Sequence, residues 1–326
     1  MKHRLKKISL LILLLATVVT VCYAWGFWAH QRINRMAVFT LPPQMIGFYK
    51  ENIEFITTHA VDPDKRRYSD PAEAPRHYID LDSYDKPPYD SVPHYWDDAV
   101  AKYSLDTLNR HGIVPWYINL MMYKLTDAFK QKSKWKILYY SADIGHYIAD
   151  AHVPLHCTHN YNGQFTGQTG IHGFWESRVP ELFGDDYDYF VGKANYVDHP
   201  LDYIWKVVLQ SASEVDSVLS FEKQLTQQFP DDKKYTYEQR GETMVRTYSQ
   251  DFSAAYQQML NGMQERKMRA AIITVGSFWY TAWVNAGQPD LSNLSNDPLT
   301  AEEQKEIDDM EQQWNNGKII GRDEGQ

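Results

Sequence analysis

Apolar residues recur at helical spacing through most of the chain. Residues 94–112 (HYWDDAVAKYSLDTLNRHG) read as one helix stopped by Gly112, and 114–132 (VPWYINLMMYKLTDAFKQK) as a second with Pro115 in its first turn. Residues 133–153 read as a third, with Ser133 as N-cap and Pro154 as the stop. Residues 199–225 and 237–263 are long amphipathic segments, and 266–286 is apolar enough to be a central core helix. Strand-like alternation, internal repeats and low-complexity linkers do not stand out, so the pattern predicts an all-α bundle, one multi-helix domain over 25–291. Two irregular stretches interrupt it: 59–93, dense in Pro, Asp and Tyr, and the polar, glycine-rich 156–170. Long loops on a helical scaffold are where function tends to sit. Residues 300–314 begin with a Thr-x-x-Glu capping box and predict a solvated helix without a partner in a polar tail, 292–326.

The start of the chain has a different pattern. Lys2, Arg4, Lys6 and Lys7 precede an apolar run at 8–21, and Cys22-Tyr23-Ala24 follows. That order predicts a secretory signal peptide, 1–24, cut after Ala24, and so a periplasmic or secreted protein. The run is short for a membrane span, which needs about 20 residues. Loss of the four cations takes the formal charge from −9 to −13. An acidic chain has no general attraction to nucleic acid or anionic lipid, so any phosphate chemistry must rest on local cations. Of the two cysteines, Cys22 and Cys157, only the second outlasts the cut, which leaves packing rather than disulfides to stabilise the mature chain.

Candidate chemistry gathers in HYIADAHVPLH, 146–156. His146 and Asp150 lie four apart on one helix face, Pro154 ends the helix, and His156 follows. His172 and Glu176 repeat the four-residue spacing on a second helical segment. Two such pairs plus His156 suit a multinuclear carboxylate–imidazole site, and zinc suits those donors. Asp62, His77 and His30 are further candidates upstream, with the α-amino group that a cut before Trp25 would free. An amine with a pKa near ~7.7–8 can give up its proton to a metal. No GxSxG elbow or phosphate-cradling GxxxxGK[ST] loop is present.

In order, the chain carries a Trp, a His, an Asp, a His, then His-x-x-x-Asp-x-x-x-Pro-x-His and His-x-x-x-Glu, from Trp25 to Glu176. This resembles the superfamily that joins bacterial zinc-dependent phospholipase C with the fungal single-strand-specific zinc nucleases. The resemblance implies three zinc ions. One would be held by Asp62, His77, His146 and Asp150. A second would share Asp150 and take His30 with the amino nitrogen and carbonyl oxygen of Trp25. The third would be held by His156, His172 and Glu176. Asp150 then bridges, since a carboxylate can span ions ~3.5–4 Å apart. It also implies in-line attack on phosphorus by a zinc-activated water, with Asp62 orienting or deprotonating the nucleophile.

The substrate signals are mixed. The five-residue step from Trp25 to His30, Asp62-x-x-Lys65, His152, and His77-Tyr78-x-Asp80 resemble the nucleases. In that reading Lys65 meets phosphate, Tyr78 stacks on a base and Asp80 accepts from the base edge. Glu176 and the short span from His156 to His172 resemble the phospholipase. The expectation is a single-strand-type nuclease or 3′-nucleotidase acting as a monomer, with phospholipase C the alternative and a zinc-binding protein without turnover the third reading. Closed structural sites favour Cys, whereas this ligand set has none and leaves room for water. His59, His94, His111 and His199 fit no ligand spacing, His152 reads as structural, His159 as exposed and Cys157 as a buried thiol.

Overall fold

The computed structural model describes residues 27–240, 243–292, 294, 300–317 and 319–320. The expected signal peptide and Trp25 lie outside them. The helices are α1 (Phe27–Ala37), α2 (Pro43–Glu51), α3 (Ile53–Thr58), α4 (Asp62–Arg66), α5 (Trp96–Tyr103), α6 (Leu105–His111), α7 (Val114–Gln131), α8 (Lys134–Ala151), α9 (Pro200–Ser213), α10 (Val215–Gln228), α11 (Gln250–Met259), α12 (Met263–Asn285) and α13 (Ala301–Asn316). The all-α expectation holds, with short helical turns between the main helices and one small antiparallel hairpin, β1 (Tyr235–Arg240) and β2 (Thr243–Tyr248). No helix among the described residues is long and apolar enough to cross a membrane.

α8 is the central element, with every residue from Ser141 to Ala151 buried. α7, α1 and α12 pack around it. Trp279 of α12 is fully buried, donates its indole N–H to the Ser141 carbonyl (3.0 Å) and stacks on Tyr49, whose hydroxyl pairs with Ser141 Oγ at 2.8 Å. The indole and phenol thus bury large apolar areas while their polar tips stay satisfied. Ser211 of α9 donates to the Ala151 carbonyl (2.8 Å), which satisfies an acceptor in the last turn of α8.

Four expectations need correction. Residues 94–112 form two helices, because Ser104 adopts a φ of 70° and its hydroxyl caps α6 by accepting from Thr107 N. Residues 199–225 likewise divide into α9 and α10 at Glu214. The stretch expected to be helical from 237 begins as the hairpin. Tyr, Thr and Val at alternate positions favour a pleated surface, and β2 ends on Tyr248, which is buried and stacks on Phe174 at 3.8 Å. Lastly, α13 is not a solvated helix without a partner. Met310 is buried, and Trp314 packs between Phe27 (5.4 Å) and Tyr68 (4.9 Å).

The α1–α8 contact sets the spacing of the site. Asn34 of α1 is fully buried and donates from Nδ2 to the Ala142 carbonyl (3.0 Å), and Gly145 leaves room for its amide. A Cβ at Gly145 would lie 2.0 Å from Asn34 Oδ1. Gly145→Ala is therefore expected to cost about 1–3 kcal/mol, the range for overpacking a filled core. Urea denaturation checks this; an unchanged midpoint would show that the helices shift apart freely.

Candidate metal centre

Pro154 ends α8, and the turn Pro154–Cys157 swings His156 back toward the helix. There it meets the loop that carries His77. Ile79 N donates to the His156 carbonyl (2.9 Å), and His156 Nδ1 donates to the His77 carbonyl (2.6 Å). His30 projects from α1 and stacks on His146 with ring centroids 3.8 Å apart. His172 sits on the turn Ile171–Gly173, which runs into a π-helical turn, Phe174–Arg178, carrying Glu176. Such turns are frequent at functional sites. The hairpin holds this segment: Arg178 Nε donates to the Tyr248 carbonyl (3.0 Å), and its guanidinium pairs with Glu238.

Asp150 lies at the junction. Its Oδ1 is 3.3 Å from His30 Nε2 and 3.9 Å from His156 Nδ1, while Oδ2 is 3.0 Å from His77 Nδ1 and 3.3 Å from His146 Nε2. Beyond His156, Glu176 places one oxygen 3.0 Å from His156 Nε2 and the other 2.7 Å from His172 Nε2. His30, His77, His146, Asp150, His156, His172 and Glu176, expected as ligands from spacing and from the family resemblance, are thus assembled and buried.

Asp62 is not among them. Its Oδ2 takes His59 Nδ1 at 2.6 Å, and its Oδ1 lies 3.5 Å from Lys65 Nζ. The carboxylate facing the centre is Asp64, whose Oδ1 is 3.7 Å from His146 Nε2 and 3.8 Å from His77 Nδ1. Residues two apart on a helix point about 200° away from each other, so α4 can turn only one of the two inward.

The substrate-contact expectations fare differently. Lys65 Nζ is 2.8 Å from Glu311 of α13. Tyr78 is only 4% exposed, and its ring and carbonyl fill the space that a Cβ at Gly112 would need, so it offers no face to a base. Asp80 is buried, with Oδ2 3.4 Å from His159 Nδ1 and 3.7 Å from His111 Nδ1. His152 donates from Nδ1 to the Ile148 carbonyl (2.8 Å) within the core, and burial pushes it down to about 3. Burial also pushes the Cys157 thiol up to about 12, and its Sγ faces the Val153 and Val208 carbonyls.

Metal-ligating imidazoles characteristically donate from one nitrogen to an oxygen and leave the other for the ion. Three rings here have that arrangement, and a fourth, His77, has a carboxylate on its outer side. His146 Nδ1 donates to the Ala60 carbonyl (2.9 Å), His156 Nδ1 to the His77 carbonyl and His172 Nδ1 to the Tyr161 carbonyl (3.3 Å), while His77 Nε2 lies 3.4 Å from Glu73 Oε1. The opposite nitrogen of each faces Asp150 or Glu176. The donor set is imidazole and carboxylate without thiolate, and it fits zinc.

Charge reinforces the arrangement. Burial would raise the Asp150 carboxyl, but His146 and His156, with hydrogen bonds to His146 and His30, hold it well below the carboxylate range. Burial raises Asp64 to about 6, against the pull of His77 and His30. Burial lowers His30 and His146, which leaves them neutral and ready to bind metal.

Glu73, which spacing did not single out, stands behind His77. It is fully buried and receives Arg66 Nε (3.2 Å), Arg76 and the Tyr147 hydroxyl. Arg66 is also bonded to Asp143 (2.7 Å), so the backing of His77 is itself braced by α8. The available signal was an acidic residue four before His77, in a stretch without helical periodicity to give that spacing meaning.

Fold and site together define an all-helical enzyme scaffold around a buried cluster of imidazoles and carboxylates suited to zinc. The chain belongs to the zinc-dependent phospholipase C family: the family model described as zinc dependent phospholipase C matches residues 29–256. It is accordingly a zinc-dependent hydrolase of phosphate esters. No curated protein matches it.

Proposed function

We propose that the chain is exported, holds three zinc ions and cleaves phosphate esters, the phosphodiesters of single-stranded nucleic acid and the phosphomonoesters of 3′-nucleotides. The observation that carries the zinc arrangement is the division of Asp150, one oxygen toward His30 and the other toward His77 and His146. Asp64, His77, His146 and Asp150 would hold one ion. Asp150, His30 and the amine and carbonyl of Trp25 would hold the second, and His156, His172 and Glu176 the third. Bound zinc supplies positive charge for a phosphoryl oxygen and lowers the pKa of water to about 7. Asp64, facing the centre from α4, orients the attacking water. The anionic Asp150 keeps His77 and His146 turned inward.

The nuclease reading is supported by the five-residue step from Trp25 to His30 and by the exposed Phe165 ring, which stacks on His159 at 5.2 Å and offers a face to a base. Glu176 and the description of the matched family favour the second reading, a phospholipid substrate. Zinc-loaded protein assayed on single-stranded DNA, RNA, 3′-nucleotides and phosphatidylcholine separates them. Cleavage of the nucleic acids or nucleotides is expected, and cleavage of phosphatidylcholine alone would replace this reading with the second.

Asp64→Asn and Asp62→Asn test the ligand assignment. Asp64→Asn is expected to lose zinc and about 100-fold in rate, equivalent to about 2.7 kcal/mol, while Asp62→Asn keeps its zinc. The opposite outcome in metal analysis would return the role to Asp62.

A further inference from the structure

Asp80, His111 and His159 come from three segments that the chain fixes together by other means. Asp80 N donates to the His111 carbonyl (2.7 Å), which pins the end of α6 to the residue that follows Ile79. Asp82 takes His159 N on one oxygen (2.8 Å) and the Thr158 hydroxyl on the other (2.6 Å), which pins the start of the polar loop. The side chains then converge: a single carboxylate oxygen, Asp80 Oδ2, faces both His159 Nδ1 (3.4 Å) and His111 Nδ1 (3.7 Å). His111 Nδ1 is a buried atom with no hydrogen-bond partner.

The distances are long for hydrogen bonds, which average about 2.9 Å for N–H···O. They are close to those between neighbouring ligands of one ion, since two donors ~2.1 Å from a tetrahedral zinc lie about 3.4 Å apart. The buried centre spans the same range, 3.3 Å from Asp150 Oδ1 to His30 Nε2 and 3.7 and 3.8 Å from Asp64 Oδ1 to His146 Nε2 and His77 Nδ1. Exposure differs: Asp80 is buried at 2%, but the His111 side chain is 21% and that of His159 52% exposed, so solvent can complete the coordination.

We propose that Asp80, His111 and His159 form a further divalent-cation site, of the zinc type that two imidazoles and a carboxylate favour, separate from the buried centre. An ion there staples the 158–170 loop to α6 and to the His77 segment. The site stands on its own residues and does not depend on the nucleic-acid reading.

The test uses Zn2+ alone. Full-length protein is dialysed against a chelating resin, the zinc it retains is counted by mass spectrometry, and further uptake is titrated by calorimetry. The wild type is expected to take up one equivalent more than His111→Ala or His159→Ala, with the same retained zinc in all three. Added Zn2+ is also expected to slow proteolysis within 158–170 in the wild type and not in His159→Ala. Equal uptake by the wild type and His159→Ala overturns the proposal. Because His159 is half exposed, that variant decides the matter even if His111→Ala does not fold. Loss of retained zinc in the wild type would count against the buried centre and leave the comparison of further uptake intact.

Discussion

Asp150→Asn is expected to strip zinc from the centre and to lower turnover about a thousandfold. The substitution is nearly isosteric, so packing around α8 survives and the effect is chemical. In the wild type both oxygens present lone pairs, one toward His30 and the other toward His77 and His146. An amide must turn an N–H toward one of those groups, which places a donor where a metal requires a lone pair. It also removes the buried negative charge that holds cations among the imidazoles. Metal-ion charge stabilisation is worth several kcal/mol, and each ~1.4 kcal/mol is tenfold in rate, which gives about a thousandfold for losing the shared ligand. Elemental analysis and single-turnover kinetics on the same preparation check both halves. Full zinc with a normal rate would remove Asp150 from the centre.

Much of this site was legible because its ligands are local. His146 with Asp150, and His172 with Glu176, are single-turn pairs, and a helix brings such residues together whatever surrounds it. The ends of α6, α7 and α8 were legible for a similar reason, since Gly112, Pro115 and Pro154 act on the backbone nearby. The choice between Asp62 and Asp64 was not local. Both lie on the first turn of α4, and what separates them is the phase of that turn and the presence of His59 beside Asp62. His111 met no spacing rule because it reaches Asp80 through a backbone hydrogen bond between distant segments. The hairpin was hidden by Tyr, Met and Val positions that also satisfy a helical count, and its alternation shows once β1 and β2 are paired from Tyr235↔Tyr248 to Arg240↔Thr243. Helical propensity cannot show that Trp314 will find Phe27 and Tyr68, which are more than 200 residues away in sequence.

Glu73→Ala tests whether the support of the centre is as consequential as its ligands. The carboxylate meets Arg66, Arg76, the Tyr147 hydroxyl and His77 Nε2 at full burial. Its removal leaves buried cations without their counter-ion, a change that typically costs about 3–5 kcal/mol. It also frees His77 to rotate, and loss of such a partner typically costs about 10–100-fold in metal affinity or activity. The two effects separate by measurement: urea unfolding of the metal-free protein reads the first, and zinc competition against a chelator reads the second. Glu73→Gln keeps an acceptor for His77 without the charge, so it is expected to recover zinc affinity more than stability. The pH dependence has a definite sign. Burial would raise the Glu73 carboxyl, but Arg66 and the hydrogen bond with His77 hold it below its ordinary value. Its contribution is therefore complete at neutral pH and shrinks as the pH falls below the unfolded-chain value of about 4.3. The stability gap between wild type and Glu73→Ala must narrow on acidification. A gap that stays constant from neutral pH to pH ~3 would mean that the packing lost with the longer side chain, and not the lost charge, accounts for the difference.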